Sequence, residues 1–160
     1  MTGRRTGFSL IEILIVLTIL AILAAIAVPR LVDASVDTKE SALSTDLQML
    51  RRQILVYKMQ HRDIGPHLDE SGKVDKVNLP ARMIGRTDDR GKINPAGSCG
   101  PYMKAWPQNP FCPADVAGTI TFGTDTAAPR NGATGWYYNL NTSIISANSQ
   151  QGAKSLDVTD

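Results

Sequence analysis

The sequence predicts an α+β protein in which one long N-terminal helix packs on a small antiparallel β-sheet. Residues 8–28 form a nearly unbroken apolar run of 21 residues. Residues 29–60 continue with apolar side chains at helical spacing. Beyond residue 100, short runs rich in aromatic and β-branched residues alternate with turn residues, which is typical of short strands. These three observations together predict the class.

The apolar run of residues 8–28 is long enough to cross a membrane as a helix, which takes about 20 residues. It follows a short polar leader, residues 1–7, that contains Arg4 and Arg5. Because basic residues stay on the cytoplasmic side of a span, we expect the rest of the chain to lie across the membrane.

Glu12 is the unusual residue of this segment, since a carboxylate is costly inside a membrane-spanning helix. Two other interpretations of the run are the core helix of a soluble protein and a secretory signal peptide. For the signal peptide, Ala25-Ile26-Ala27 offers a cleavage site before Val28. Neither interpretation requires an acidic residue at this place. Glu12 therefore indicates a functional span whose carboxylate has a cationic partner.

The segment Gly7-Phe8-Ser9-Leu10-Ile11-Glu12, followed by the apolar run, resembles the class III signal of type IV pilins and type II secretion pseudopilins. The resemblance covers residues 4–30. It implies cleavage between Gly7 and Phe8 by a prepilin peptidase and N-methylation of Phe8. It also implies assembly of the helices into a filament with other copies and other pilins or pseudopilins. Glu12 would be the fifth residue of the mature chain, and Pro29 would be residue 22.

A cut after Gly7 would create a positive α-amino group on Phe8, about one helical turn from Glu12. The carboxylate can pair with this amine in its own chain or in a neighbouring copy, and the sequence leaves both pairings open. Together with Pro29, which we expect to kink the helix, Glu12 is our predicted assembly determinant.

Residues 29–60 predict the amphipathic half of the same helix, which would be ~80 Å long at 1.5 Å per residue. Apolar and charged positions alternate here with helical period, and no strict heptad runs through Lys39-Glu40-Ser41. We expect the apolar stripe to bury against the distal sheet. The predicted contacts join Leu43, Leu47, Leu50 and Ile54 to Trp136, Tyr138 and Ile145.

Residues 61–148 predict a globular domain, and residues 149–160 a polar tail. We expect a short helix near Asp75–Arg86 that Pro80 interrupts, and strands at residues 120–122, 136–138 and 143–147. The segments 100–111, 135–139 and 145–148 resemble the distal part of pseudopilins. They favour a pseudopilin, such as the major one of a type II secretion system, over an adhesive pilus subunit.

Cys99 and Cys112 are the two cysteines, and twelve residues separate them. Because the compartment beyond the membrane is oxidising, we predict a disulfide between them. A loop of this size would gain about 3 kcal/mol from such a bridge in the chain-entropy model. Two free thiols are the alternative. A structural zinc site lacks ligands, since His61 and His67 lie far from both cysteines and are expected to be solvated.

No sequence motif for catalysis or nucleotide binding occurs, and we expect no enzymatic activity. The similar major pseudopilins carry calcium in a distal loop, where Asp115 and Asp125 are candidate oxygen donors. No spacing identifies such a loop, so the metal ligands stay unassigned and no cofactor is predicted. Removing Arg4 and Arg5 with the leader leaves 15 basic and 15 acidic side chains, which gives no basis for nucleic-acid binding.

The sequence therefore predicts a structural filament subunit of the inner membrane with its distal domain in the periplasm. The first alternative is a single-pass anchor carrying a periplasmic binding module, and the second is a secreted enzyme. Glu12 and the Gly7-Phe8 junction favour the filament subunit. The residues leave open whether the filament is a pilus or a secretion pseudopilus, and whether the subunit is major or minor.

Overall fold

The computed structural model describes residues 9–150, and between residues 28 and 33 it describes the backbone alone. Helix α1, Leu10–Gln60, opens the described chain. The chain divides into two compact units, Met1–Thr38 and Lys39–Asp160. The first unit contains the apolar part of α1. The second contains the amphipathic part of α1 and all other helices and strands of the described chain.

The part of α1 in the second unit is helical because its apolar side chains recur every three or four residues and bury along one stripe. These side chains form one core with those of the sheet, which confirms the predicted contacts. The core on the helix consists of Leu43, Leu47, Leu50, Ile54 and Tyr57, and it packs with Trp136, Tyr138, Ile145 and Ala147. Full burial of each large side chain contributes roughly 1.5–3 kcal/mol.

The sheet has three strands in the order β1-β2-β3, namely Ile120–Gly123, Trp136–Asn139 and Ile145–Ala147. The predicted antiparallel pairing is right for β2 and β3, which five residues connect. It needs correction for β1, which runs parallel to β2 with Ile120 opposite Trp136. The twelve residues 124–135 between these strands are long enough for the chain to cross back, as a parallel pair requires. The sheet is therefore mixed, within an α+β fold that matches the predicted class.

Helix α2, Leu79–Ile84, is shorter than the predicted helix at residues 75–86. Pro80 lies in its first turn, where the missing backbone N–H costs nothing, so it begins the helix and does not interrupt it. Leu79 and Met83 bury their side chains in the core, while Arg82 is also buried.

Two hairpins of the same design flank α2, and we call them hairpin I (residues 68–74) and hairpin II (residues 87–93). Each contains Asp-x-x-Gly-Lys, and each glycine has a positive φ, 77° at Gly72 and 82° at Gly91. In hairpin I the carboxylate of Asp69 accepts two backbone N–H bonds, and in hairpin II Asp88 does the same. A matching backbone ladder closes both turns. The aspartates thus shape both turns.

The guanidinium of Arg82 contacts hairpin II and the residues on either side of hairpin I, and the Arg82 side chain is 4% exposed. Nε donates to the carbonyl oxygen of Gly91 at 3.0 Å, and Nη1 donates to that of Pro66 at 3.2 Å. Nη2 pairs with Asp75 at 2.8 Å. Burial raises the pKa of Asp75, but hydrogen bonds from Asn78, Val77 and Arg82 outweigh it and lower the pKa to about 2. A buried charge thus connects α2 to hairpin II and to the residues on either side of hairpin I.

Three buried asparagines, Asn109, Asn139 and Asn148, hold the long connections of the domain in place. Asn148 shows how they act. Its side-chain amide donates to Oδ1 of Asn131 at 3.1 Å, and its backbone carbonyl accepts the N–H of Gly132 at 2.8 Å. An asparagine side chain can both donate and accept hydrogen bonds. It can therefore bond to the backbone groups of a loop that no strand pairs with.

Candidate functional site

The candidate site is the first turn of α1, around Glu12. The helix begins at Leu10, and the carbonyl oxygen of Ser9 accepts from the N–H of Glu12 at 3.1 Å and of Ile13 at 3.3 Å. Ser9 therefore stands at the position that precedes the helix, and Glu12 is in its first turn. Because the backbone dipoles make this end of a helix partly positive, a carboxylate is favoured here.

Apolar side chains surround Glu12 on the helix and point outward. The window Leu10–Ala27 has a mean hydropathy of 3.0, none of it is buried, and Glu12 is its one charged residue. Its length and composition are those of a helix able to cross a membrane, a test that a signal sequence also passes. The core helix of a soluble protein would be mostly buried, so that interpretation does not fit the exposed surface.

Chemically, this turn offers one hydrogen-bond acceptor, the carboxylate of Glu12, in an apolar environment. In the described chain the Glu12 carboxylate makes no hydrogen bond or ion pair, although it is the kind of group that seeks a cation once water is excluded. The predicted cleavage residues Gly7 and Phe8 lie outside the described residues. Pro29 lies within α1, where the structure describes the backbone alone.

The structure gives Cys99 and Cys112 as free thiols and so favours the alternative over the predicted disulfide. Two backbone hydrogen bonds of 3.0 Å hold Cys99 against Thr87. The thiol of Cys112 instead donates to the carbonyl oxygen of Thr134 at 3.7 Å, and burial raises its pKa. The oxidising compartment suggested a bridge, but in the structure Cys99 bonds with Thr87 and Cys112 with Thr134.

Alkylation of the non-reduced protein is therefore expected to add two adducts, one on each cysteine. Cys112 should react more slowly at pH 7 than at pH 9, because its raised pKa leaves little thiolate at neutral pH. Intact mass after iodoacetamide treatment, with and without prior reduction, measures this. Adducts that form only after reduction would instead establish the bridge.

No metal-binding arrangement is found in the described part of the chain. Residues 9–150 contain no group of three or more His, Cys, Asp or Glu side chains placed to hold a metal. Asp115 is exposed, and the backbone carbonyl of Asp125 accepts bonds from Tyr137 Oη (2.9 Å) and Asn139 Nδ2 (2.8 Å). A cavity of about 290 Å³ beside Phe111 is lined by no titratable side chain.

The two histidines are buried, so the expectation that they are solvated is wrong. Nδ1 of His61 bonds to the backbone carbonyl of Tyr57 at 2.8 Å, and Nε2 lies 2.9 Å from the hydroxyl of Thr87. Nδ1 of His67 lies 2.9 Å from the hydroxyl of Tyr138. Burial, followed by the charges of Lys58 and Arg82, lowers the pKa of His67. Both rings are therefore structural parts of the core.

Two comparisons with known proteins find similar sequences. A family described as the prokaryotic N-terminal methylation motif matches residues 3–28. The type II secretion system core protein G of Aeromonas hydrophila is 28% identical over 108 residues, which cover 68% of this chain and 68% of that protein. No solved structure matches the chain. With the long apolar helix and the small mixed sheet, these similarities support a type IV pilin-like protein or pseudopilin.

Proposed function

We propose that this chain is a structural subunit of a type IV pilus-like filament or a type II secretion pseudopilus. The proposal rests on the surface of the Leu10–Ala27 segment. Apart from Glu12 and Thr18 its side chains are all apolar, and none of the segment is buried. A helix of this kind needs either lipid or other helices around it. A filament subunit uses both environments, first as a membrane anchor and then as part of a helical core.

In the membrane, residues 8–28 form the span, with Arg4 and Arg5 on the cytoplasmic side of the inner membrane and residues 61–148 in the periplasm. The similarity to a secretion-system core protein supports this arrangement. In this role the subunit is the substrate of a prepilin peptidase and performs no chemistry of its own.

Processing connects the membrane-anchored stage to the filament stage. Cleavage between Gly7 and Phe8 frees the amine of Phe8, which is then N-methylated, as the matched methylation motif supports. The new amine is the cation that Glu12 lacks. Pairing between the amine and the carboxylate neutralises both charges before the helix is enclosed by its neighbours, which lowers the cost of burying them.

The cleavage site is the direct test of the proposal. Protein extracted from membranes that contain a prepilin peptidase is expected to begin at Phe8 and to carry one added methyl group, as measured by intact mass and N-terminal sequencing. Gly7→Leu should abolish the processing because the peptidase would meet a bulky residue, while Gly3→Leu should leave it unchanged.

Two results would contradict the proposal. A mature N-terminus at Val28 would indicate secretion by signal peptidase. An uncleaved chain that stays in the membrane as single subunits would indicate an anchor that carries a binding module.

A further inference from the structure

The buried ring of His67 joins hairpin I to the sheet. His67 is 5% exposed, and its Nδ1 lies 2.9 Å from the hydroxyl of Tyr138 on β2. The centroids of the two rings are 5.0 Å apart, so the rings are also in contact. The backbone carbonyl of His67 accepts the N–H of Asp75 at 2.8 Å, which brings the two ends of hairpin I together. The imidazole therefore connects hairpin I to β2.

The space around this ring is closed. The backbone of Gly65 lies so near that a Cβ atom added there would be 2.7 Å from both Nδ1 and Cε1 of His67. Gly65 and Pro66 are buried as well, and the carbonyl oxygen of Pro66 accepts from Nη1 of Arg82 at 3.2 Å. The ring has thus lost most of its contact with water, and a charged imidazolium needs water or an anion to be stable.

The charged groups around His67 do not supply that anion. Lys58 on α1 and Arg82 on α2 both act against a positive charge on the ring. The carboxylates beside these cations are bound to them, Asp63 to Lys58 at 3.0 Å and Asp75 to Arg82 at 2.8 Å. Within residues 9–150 no carboxylate is bonded to either ring nitrogen of His67. A proton on this ring would therefore meet two cations in a site that excludes water.

We infer that the contact between hairpin I and the sheet is an acid-sensitive link, which is closed while the imidazole of His67 is neutral and opens when the ring takes up a proton. Opening gives the charged ring the water that the closed site excludes, and it separates hairpin I from β2. The core that α1 forms with the sheet does not use this bond, so it is expected to stay closed. The inference goes beyond the proposed filament function and does not depend on it, because all residues involved lie in the Lys39–Asp160 unit.

The direction of the pH effect follows from the surroundings of the ring. Burial, followed by the charges of the two cations, lowers the pKa of His67 from its ordinary value of 6.5, so the closed link binds the proton less well than the open one. The closed link is therefore most stable above pH 6.5 and loses stability as the pH falls below that value. Each pH unit raises the ratio of open to closed link by up to about tenfold, until the closed form is protonated too. Asp75 and Tyr138 do not titrate in this range, because the pKa of Asp75 is lowered to about 2 and burial raises that of Tyr138 to about 12.

Hydrogen exchange of the full-length protein in detergent measures the opening, with mass spectrometry at about pH 7 and about pH 5.5 and correction for the intrinsic rates. The amides of hairpin I are expected to lose protection about tenfold at the lower pH, while those of residues 43–54 in α1 keep theirs. His67→Gln should show no such difference, because its amide can bond to Tyr138 but takes up no proton. Unchanged protection in the wild type, the same loss in His67→Gln, or an equal loss in hairpin I and α1 would each overturn the inference.

A titration of the wild-type protein tests the link even if His67→Gln folds poorly. The chain has two histidines, so isotope labelling of histidine gives two sets of ring signals in NMR spectra, and His61→Gln or His67→Gln tells them apart. The midpoint of the His67 signal is expected below pH 6.5, and Lys58→Met should raise it because one repelling cation is removed. Lys76→Met is the matched control, since Lys76 is exposed and its loss changes the net charge equally. A midpoint at or above 6.5, or equal responses to the two lysine changes, would contradict the inference.

Discussion

Replacing Glu12 with alanine is expected to leave a folded, membrane-inserted chain that no longer assembles into filaments. Insertion should improve slightly, since the span becomes more apolar. In the assembled state, however, the amine of Phe8 would be enclosed without its carboxylate. Truncating one partner of a buried charge pair weakens an interface by about thirtyfold or more, and the loss recurs at each added subunit. Sheared filament mass should fall below one tenth of the wild-type value.

Thr18→Ala is the matched control for this experiment. Thr18 is also a polar residue of the apolar helix, but its hydroxyl bonds to the carbonyl oxygen of Ile15 at 2.8 Å and so needs no partner from outside. Normal assembly is expected for Thr18→Ala, and Glu12→Gln should fail like Glu12→Ala because an amide carries no charge. Wild-type assembly by Glu12→Ala subunits alone would remove the carboxylate from the mechanism.

Co-expression of wild-type and Glu12→Ala subunits separates the two pairings that the sequence leaves open. If the carboxylate pairs with the amine of a neighbouring copy, mixed filaments should become steadily fewer as the mutant fraction rises. If each carboxylate pairs within its own chain, wild-type subunits should assemble among themselves and leave the mutant in the membrane.

Arg82→Met is expected to destabilise the distal domain by about 3–5 kcal/mol, the usual cost of breaking a buried ion pair by removing one partner. The change leaves the carboxylate of Asp75 without its cation and removes the donors to Gly91 and Pro66. Urea denaturation of the full-length protein in detergent measures the loss. Its signal is the emission of Trp106 and Trp136, the two tryptophans of the chain.

The control for Arg82 is Arg62→Met, which removes an ion pair with Asp89 that is 72% and 57% exposed at its two side chains. An exposed pair of this kind contributes about 0–1 kcal/mol. Similar losses for Arg62→Met and Arg82→Met would show that burial does not decide the strength of the Arg82 contacts. Adding Asp75→Asn to Arg82→Met should recover part of the stability, because the second change removes the charge left unpaired.

Local patterns were sufficient to predict the elements of this fold. The spacing of Leu43, Leu47 and Leu50 identified the buried stripe of α1, and the aromatic run at Trp136 identified the central strand. They did not predict that β1 runs parallel to β2, because strand direction depends on the path of residues 124–135, which have no periodic pattern.

The functional and buried polar residues likewise differ in how far the sequence reveals them. Glu12 was recognisable because a charge within an apolar run is an anomaly that can be seen in the sequence itself. Arg82 and His67 do not stand out in this way, because neither lies in a long apolar run and each resembles an exposed side chain. Their burial follows from tertiary contacts, of Arg82 with hairpin II and of His67 with Tyr138. The disulfide was predicted from the oxidising compartment alone, and the sequence does not contain the contacts of Cys99 with Thr87 and of Cys112 with Thr134.

The contacts of Asn148 have a consequence for the chemical lifetime of the subunit. Asn131-Gly132 is the dipeptide most prone to deamidation, in which the glycine nitrogen attacks the asparagine side chain to form a cyclic imide. In this fold the N–H of Gly132 is bonded to the carbonyl of Asn148, and Oδ1 of Asn131 accepts from Asn148 and from the N–H of Ala133. Both reacting groups are held in other bonds. The folded domain therefore protects the side-chain amide of Asn131 from deamidation, which would suit a subunit of the proposed filament.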